Sequence, residues 1–196
     1  MRPSKRDELV RKALRIFYRN GFHATGMDLL STETGISKTT MFKHFRSKEE
    51  LILAVLRLRD EEFRNWLFRR MEAAGPPRAQ LLALFDALAE WFAEPDFRSC
   101  MFIKASSEYP DPAHPIHVQA AEHKRLLFRQ LVPIAEAAGV PDPAALARGL
   151  LLLKEGAIVT AHIGHEADPA GDARTAAAKL LADVPDAAGG ENASGN

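Results

Sequence analysis

GISKTTMFKHF, Gly35 to Phe45, places two lysines, two threonines and a histidine around a few apolar residues. Gly35 is free to take positive φ, Ile36 can plug a corner, and Ser37 can cap the next helix, which is the composition of the turn in a helix-turn-helix. In the helix after Ser37, Met41 and Phe45 are four apart and face inward, while Lys38, Thr39, Phe42 and Lys43 point away. About eight residues give a helix of about 12 Å, enough to present its N-terminal turn to a major groove about 12 Å wide. Short hydroxyls and long cations on that face are the groups that reach phosphates and base edges. Taken alone, the same stretch also reads as a solvated surface helix, so the neighbouring segments decide.

Upstream, Leu9, Ala13, Ile16 and Phe17 form one apolar stripe while Lys5, Arg11, Lys12, Arg15 and Arg19 occupy other positions, which predicts a helix over 5–20 stopped by Gly21. Ser4-x-x-Asp7, Thr25-x-x-Asp28 and Ser47-x-x-Glu50 fit a cap in which a side-chain oxygen accepts from a first-turn amide and an acid answers it; Ser37 is a cap candidate without the acid. Together these marks delimit helices near 5–20, 27–34, 38–45 and 48–74, the first three forming a compact unit and the fourth leading out of it.

Gly75-Pro76-Pro77 interrupts the pattern, and a helix over 78–93 carries Leu81, Leu84, Phe85, Leu88 and Phe92 on one side. SCMFIKASSEY is a short helix closed by YPDPAHP, whose prolines forbid continuation. Segments near 114–138, 143–165 and 169–184 complete an all-α chain of about nine helices, a three-helix helix-turn-helix followed by a larger helical bundle. Residues 1–47 read as the helix-turn-helix domain and 48–184 as the helical body; 185–196, rich in Ala, Gly, Asn and Ser, read as a disordered tail.

The chain has no net charge, but residues 1–59 hold 13 Lys and Arg against 6 Asp and Glu, while the remainder holds 13 against 20. A basic segment followed by an acidic body is the footprint of a small nucleic-acid-binding unit attached to something else. Neither a signal peptide nor a membrane span is visible, so a cytoplasmic location without a membrane partner is the expectation. The single Cys100 rules out an intrachain disulfide and zinc-finger spacing.

From Leu9 to Leu51, with Ala13, Phe17, GFHAT, MDLLSTETGISKTTMFKHF and SKEEL, the sequence resembles the TetR family of bacterial transcriptional regulators. The resemblance covers about the first 55 residues. It implies a homodimer that binds palindromic operator DNA, most often as a repressor, and releases it when a small molecule occupies the C-terminal domain. It further implies that Thr25 and the start of the second helix touch phosphate, that Ser37, Lys38, Thr39 and Thr40 lie in the major groove, that Phe42, Lys43 and His44 flank it, and that Lys48 reaches another phosphate. Gly26, Thr39 and Phe42 depart from the family pattern: Phe42 has no hydroxyl to donate to phosphate, and Thr39 adds a methyl and a hydroxyl at the groove surface.

The segment 143–165 is apolar nearly all round and needs cover on more than one side. Leu146, Gly149, Leu150, Leu153 and Gly156, with Leu180 of the last helix, read as half of an intersubunit four-helix bundle, the alternative being a fully buried helix in a monomer. Candidate effector contacts are Phe63, Trp66, Phe92, Met101, Lys104, His123 and His162, large or polar side chains on the helices of the body. Cys100 is either a buried inert thiol or a thiol sensor activated at a helix N-terminus. Catalysis by Cys100 with His114, His117 or His123 lacks an oxyanion-forming glycine motif, and His162-x-x-His165 with Asp168 lacks a second strong ligand pair. The sequence therefore points to no catalytic residues, metal site or cofactor.

Overall fold

The computed structural model describes residues 4–164 and 168–182. Among these residues the chain forms nine helices and no strand: α1 (Lys5–Asn20), α2 (Met27–Thr34), α3 (Lys38–His44), α4 (Lys48–Ala73), α5 (Pro77–Phe92), α6 (Met101–Glu108), α7 (Pro115–Ala137), α8 (Pro143–Ile163) and α9 (Pro169–Ala182). The all-α architecture matches the periodicity of the sequence, with boundaries within two residues of those predicted for the long helices. The tail predicted to be disordered lies outside the described residues.

Three of the four predicted caps close. Asp7 N donates to Ser4 Oγ at 3.1 Å, Thr40 N to Ser37 Oγ at 3.2 Å and Glu50 N to Ser47 Oγ at 3.2 Å. Glu50 Oε2 accepts from Arg46 N at 2.7 Å, one residue before the cap, so the acid also ties down the chain that leads into α4. Thr25 does not cap α2. The cap position is Gly26, which has no side chain to offer. Thr25 is instead fully buried and its hydroxyl donates to Gly21 O at 2.6 Å. Carbonyls at a helix C-terminus lack intrahelical partners, and this one, at the end of α1, takes its donor from Thr25.

The fold divides into two compact units: the chain up to Asn65 with Arg98–Arg125, and Trp66–Phe97 with the chain from Leu126 on. In the first, the predicted stripe of α1 is buried in full, Leu9, Ala13, Ile16 and Phe17 all lying in the core with Phe22, Leu30 and Met41. Phe17 and Phe22 meet with ring centroids 5.4 Å apart. Leu51, Ile52, Val55 and Leu56 of α4 and Phe102, Ala105 and Ile116 from α6 and α7 are buried in the same unit. In the second unit, α9 packs on both α5 and α8. Its inward residues are Ala170, Ala173, Ala177 and Leu181, and the three small side chains let its neighbours approach closely.

Removing the Phe17 ring from this closed core leaves a cavity as well as losing transfer energy. Phe17→Ala should lower unfolding stability by about 3–5 kcal/mol, read as a shift of the denaturant midpoint at constant slope.

Candidate nucleic-acid interface

The turn before α3 is built from the residues that predicted it. Gly35 closes α2 in the left-handed region, at φ +69°. Thr34 Oγ1 donates to Leu30 O at 2.6 Å and accepts from Ile36 N at 3.2 Å, fixing the reversal by local bonds. Lys12 Nζ of α1 reaches Thr34 O at 2.8 Å and ties the same end of α2 down. Ile36, Met41 and Phe45 are buried at the corner and along the inner face of α3. Arg6 lies over the Phe45 ring, 5.0 Å from its centroid.

What remains outward is Ser37, Lys38, Thr39, Phe42, Lys43 and His44, all exposed, with Thr40 half-buried. Thr40 Oγ1 lies 3.0 Å from Ser37 Oγ, so both hydroxyls are oriented at the first turn. Lys38 pairs with Asp28 of α2. Phe42 is 51% exposed, an apolar ring held at the surface between cations. The start of α3 carries no acid and its last turn holds Lys43 and His44, so one exposed face offers hydroxyls, ammonium groups and one ring.

Two expected contacts sit differently. The Thr25 side chain is buried and cannot reach an external phosphate. Lys48 Nζ turns toward the corner between α1 and α2, donating to Phe22 O at 3.0 Å and Thr25 O at 3.3 Å. An ammonium group has three N–H bonds, so it holds the corner with two of them and keeps one more to give.

Comparison with known proteins decides the family of a chain with this geometry. The sequence model for bacterial regulatory proteins of the tetR family matches residues 9–55. The solved structure of a TetR-family transcriptional regulator from Streptomyces coelicolor superposes with a TM-score of 0.83 at 30% identity, covering 91% of this chain and 95% of that one. A TetR transcriptional regulator from Streptomyces avermitilis gives a TM-score of 0.83 at 31% identity, over 93% of this chain and 98% of that one. The chain belongs to the TetR family. The HTH-type transcriptional regulator YjdC of Escherichia coli K12 is 25% identical over 155 residues, 79% of this chain and 81% of its own. Like other members of the TetR family, the protein is a DNA-binding transcriptional regulator and not an enzyme.

The effector candidates fall into two separate groups in this TetR-family chain. In the first unit, Phe63 and His123 are buried, with ring centroids 5.9 Å apart, and His123 stacks on Phe102 at 3.7 Å. His123 Nδ1 lies 2.7 Å from Asp60 Oδ1, and Arg64 grips both Asp60 oxygens at 2.8 Å. Burial alone would raise the Asp60 carboxyl, but the hydrogen bonds from His123 and Arg64 outweigh it and hold the group down at about 2. Met101 is buried, and Lys104 donates to Tyr18 O at 3.2 Å, with burial pulling its ammonium below the usual lysine range. In the second unit, Phe92 and His162 both approach Phe97, at 5.1 and 6.4 Å between centroids, and Trp91 meets Phe97 edge-on at 5.0 Å. Trp66 is covered by the Arg70 guanidinium at 4.7 Å. Cys100 is buried at the cap of α6 with Lys124 Nζ 3.5 Å from its sulfur. Among the described residues no three His, Cys, Asp or Glu side chains gather as metal ligands, and His165 lies outside them.

The predicted dimer residues also divide. Leu146 and Leu150 are buried inside their own unit, and a Cβ on Gly149 would meet Leu180 of the same chain at 3.4 Å. Leu153 is half-buried, and Gly156 is exposed with nothing near its missing side chain. Among the described residues of α8 and α9, the large apolar side chains left exposed are Leu152, Val159 and Ile163 of α8 and Leu180 of α9. On α8 their spacing with Gly156 is i, i+4, i+7, i+11, a single helical face. The apolar encirclement of α8 is visible in the sequence, but the stripe expected to face outward there includes residues that face the core. Lys154 is a further residue absent from the expected set: it is fully buried on the inner face of α8 and paired with Glu155 Oε1 at 2.9 Å. Its position at helical spacing between Leu150 and Ile158 was the available signal.

Asp60 gives a pH signature. Its folded carboxyl lies below its ordinary value of 3.8, so its contribution to stability is complete at neutral pH and is lost as pH falls toward about 2. Asp60→Asn should lower stability at pH 7 and flatten the acid limb of a melting-temperature profile between about pH 4 and pH 2.

Proposed function

We propose that the protein is a repressor that binds palindromic operator DNA as a homodimer in the cytoplasm and is released by a small-molecule effector. The observation that carries this reading is α3 itself, anchored through Met41 and Phe45 while Lys38, Thr39, Phe42, Lys43 and His44 stand exposed. In the complex, Ser37 to Thr40 enter the major groove, and Lys38 and Lys43 contact bases or the phosphates beside them. Phe42 packs on a sugar or a thymine methyl, and the remaining N–H of Lys48 reaches a phosphate. The amides at the start of α2, and not the Thr25 side chain, supply the neighbouring backbone contact.

One α3 covers too few bases for specific affinity, whereas two of them about 34 Å apart meet successive major grooves. The exposed face of Leu152, Val159, Ile163 and Leu180 supports the second copy, because an apolar stripe along one helix face gains from being covered. Effector release is then a matter of differential affinity of two conformations for DNA. The chemistry around Phe63 and His123, or around Phe92 and His162, suits an aromatic or polar organic molecule.

The assignment of α3 is tested on duplexes that the protein selects from a random library, with a subsequent screen for compounds that release the selected site. Lys43→Ala and Thr40→Ala should each weaken binding to the selected palindrome by about 5- to 150-fold. Unchanged affinity in both would rule out α3 as the reading element.

The dimer face has its own readout. Ile163→Asp combined with Leu152→Asp should convert the dimer to a folded monomer in sedimentation at micromolar concentration and abolish palindrome binding while leaving helix content intact.

A further inference from the structure

The corner between α1 and α2 closes on a single carboxylate. Phe22 N donates to both oxygens of Glu108, at 3.0 Å each, and His23 N donates to Oε2 at 2.5 Å. Gly21 precedes them at φ +83°, and a Cβ there would stand 2.9 Å from Glu108 Oε1, so the backbone is wrapped around the acid as closely as a residue without a side chain allows. Hydrogen bonds from amides to an ionised carboxylate are roughly twice as strong as neutral ones.

Neighbouring residues hold the same corner. Tyr109 sets its ring against Phe22 and His23, at 6.5 and 4.8 Å between centroids. Its phenol is pushed up to about 12 by burial, with the charges of Glu49 and Glu108 adding to the effect, so it stays neutral. Lys104 Nζ and the backbone N–H of Arg98 reach Tyr18, the first at its carbonyl at 3.2 Å and the second at its hydroxyl at 2.9 Å. The segment from Arg98 to Tyr109 therefore grips the last turn of α1 and the start of the loop that leads to α2, while Lys48 holds the loop's carbonyls from α4.

We propose that Glu108 is a positioning residue for operator binding: by clamping the amides of Phe22 and His23 to the end of α6, it fixes the orientation in which α2 and the Gly35 turn present α3. The proposal rests on the operator-binding reading of α3. Glu108 itself touches no DNA.

The test uses the full chain, the palindrome selected by the wild-type protein, and two variants, Glu108→Ala and Glu108→Gln. Gln keeps an oxygen at the Oε2 position, within reach of both amides, but loses the charge and sets an NH2 group against Phe22 N, so it preserves the packing and weakens the clamp. Backbone amide exchange at Phe22 and His23 is read alongside operator affinity, since it reports the clamp without DNA. Both variants are expected to exchange at least about tenfold faster at these two amides and to bind the palindrome about tenfold more weakly, with exchange in α8 and dimerisation unchanged. Faster exchange with wild-type operator affinity in either folded variant would overturn the positioning role, and unchanged exchange would overturn the clamp. A wild-type protein that selects no palindrome would instead sink the operator-binding reading, and the positioning role with it.

Discussion

A helix of seven residues does not hold its shape in water, because the cost of fixing its first turn is recovered only over about 12–15 residues. α3 therefore depends on what it is packed against. Met41 and Phe45 give it two buried anchors, Ile36 fills the corner before it, and the hydroxyl of Ser37 satisfies its first turn. Its neighbours α1 and α2 carry that attachment. α1 supplies the apolar floor and, through Lys12, the bond to the end of α2. The exposed face of α3 is free to be rich in donors only because its stability comes from the opposite side.

The two units meet their polar demands in different ways. The first carries a buried network in which Arg64 and His123 both hold the Asp60 carboxylate, so removing either weakens the compensation of that buried charge. The second has Lys154 and Glu155 on one helix within a core of leucine and alanine. A buried lysine must carry its partner with it, and here the adjacent residue supplies the carboxylate.

Much of this was legible in the sequence because the signals were local. Helix ends coincided with serine caps and glycines, and the turn at Gly35 to Ser37 with its residue types. Thr25 misled because its hydroxyl had two possible partners close in sequence, an amide of α2 and the carbonyl of Gly21, and burial selected the second. On α8 the sequence says less for a related reason: a helix apolar all round gives no periodic signal for which face its own unit covers. Glu108 carried no sequence signal for its role, since its partners are backbone amides that any residue could provide and they lie far away along the chain.

That last pairing has a bearing on how relatives of this protein can vary. Gly21 and Glu108 occupy the same small volume from opposite ends, one lacking a side chain so that the other can enter. A residue with a side chain at position 21 would meet the carboxylate, and a shorter residue at 108 would relieve that contact but leave the backbone at φ +83°. The dependence runs one way: the acid can enter only where position 21 has no side chain, whereas the glycine is required by its backbone conformation even where the acid is absent.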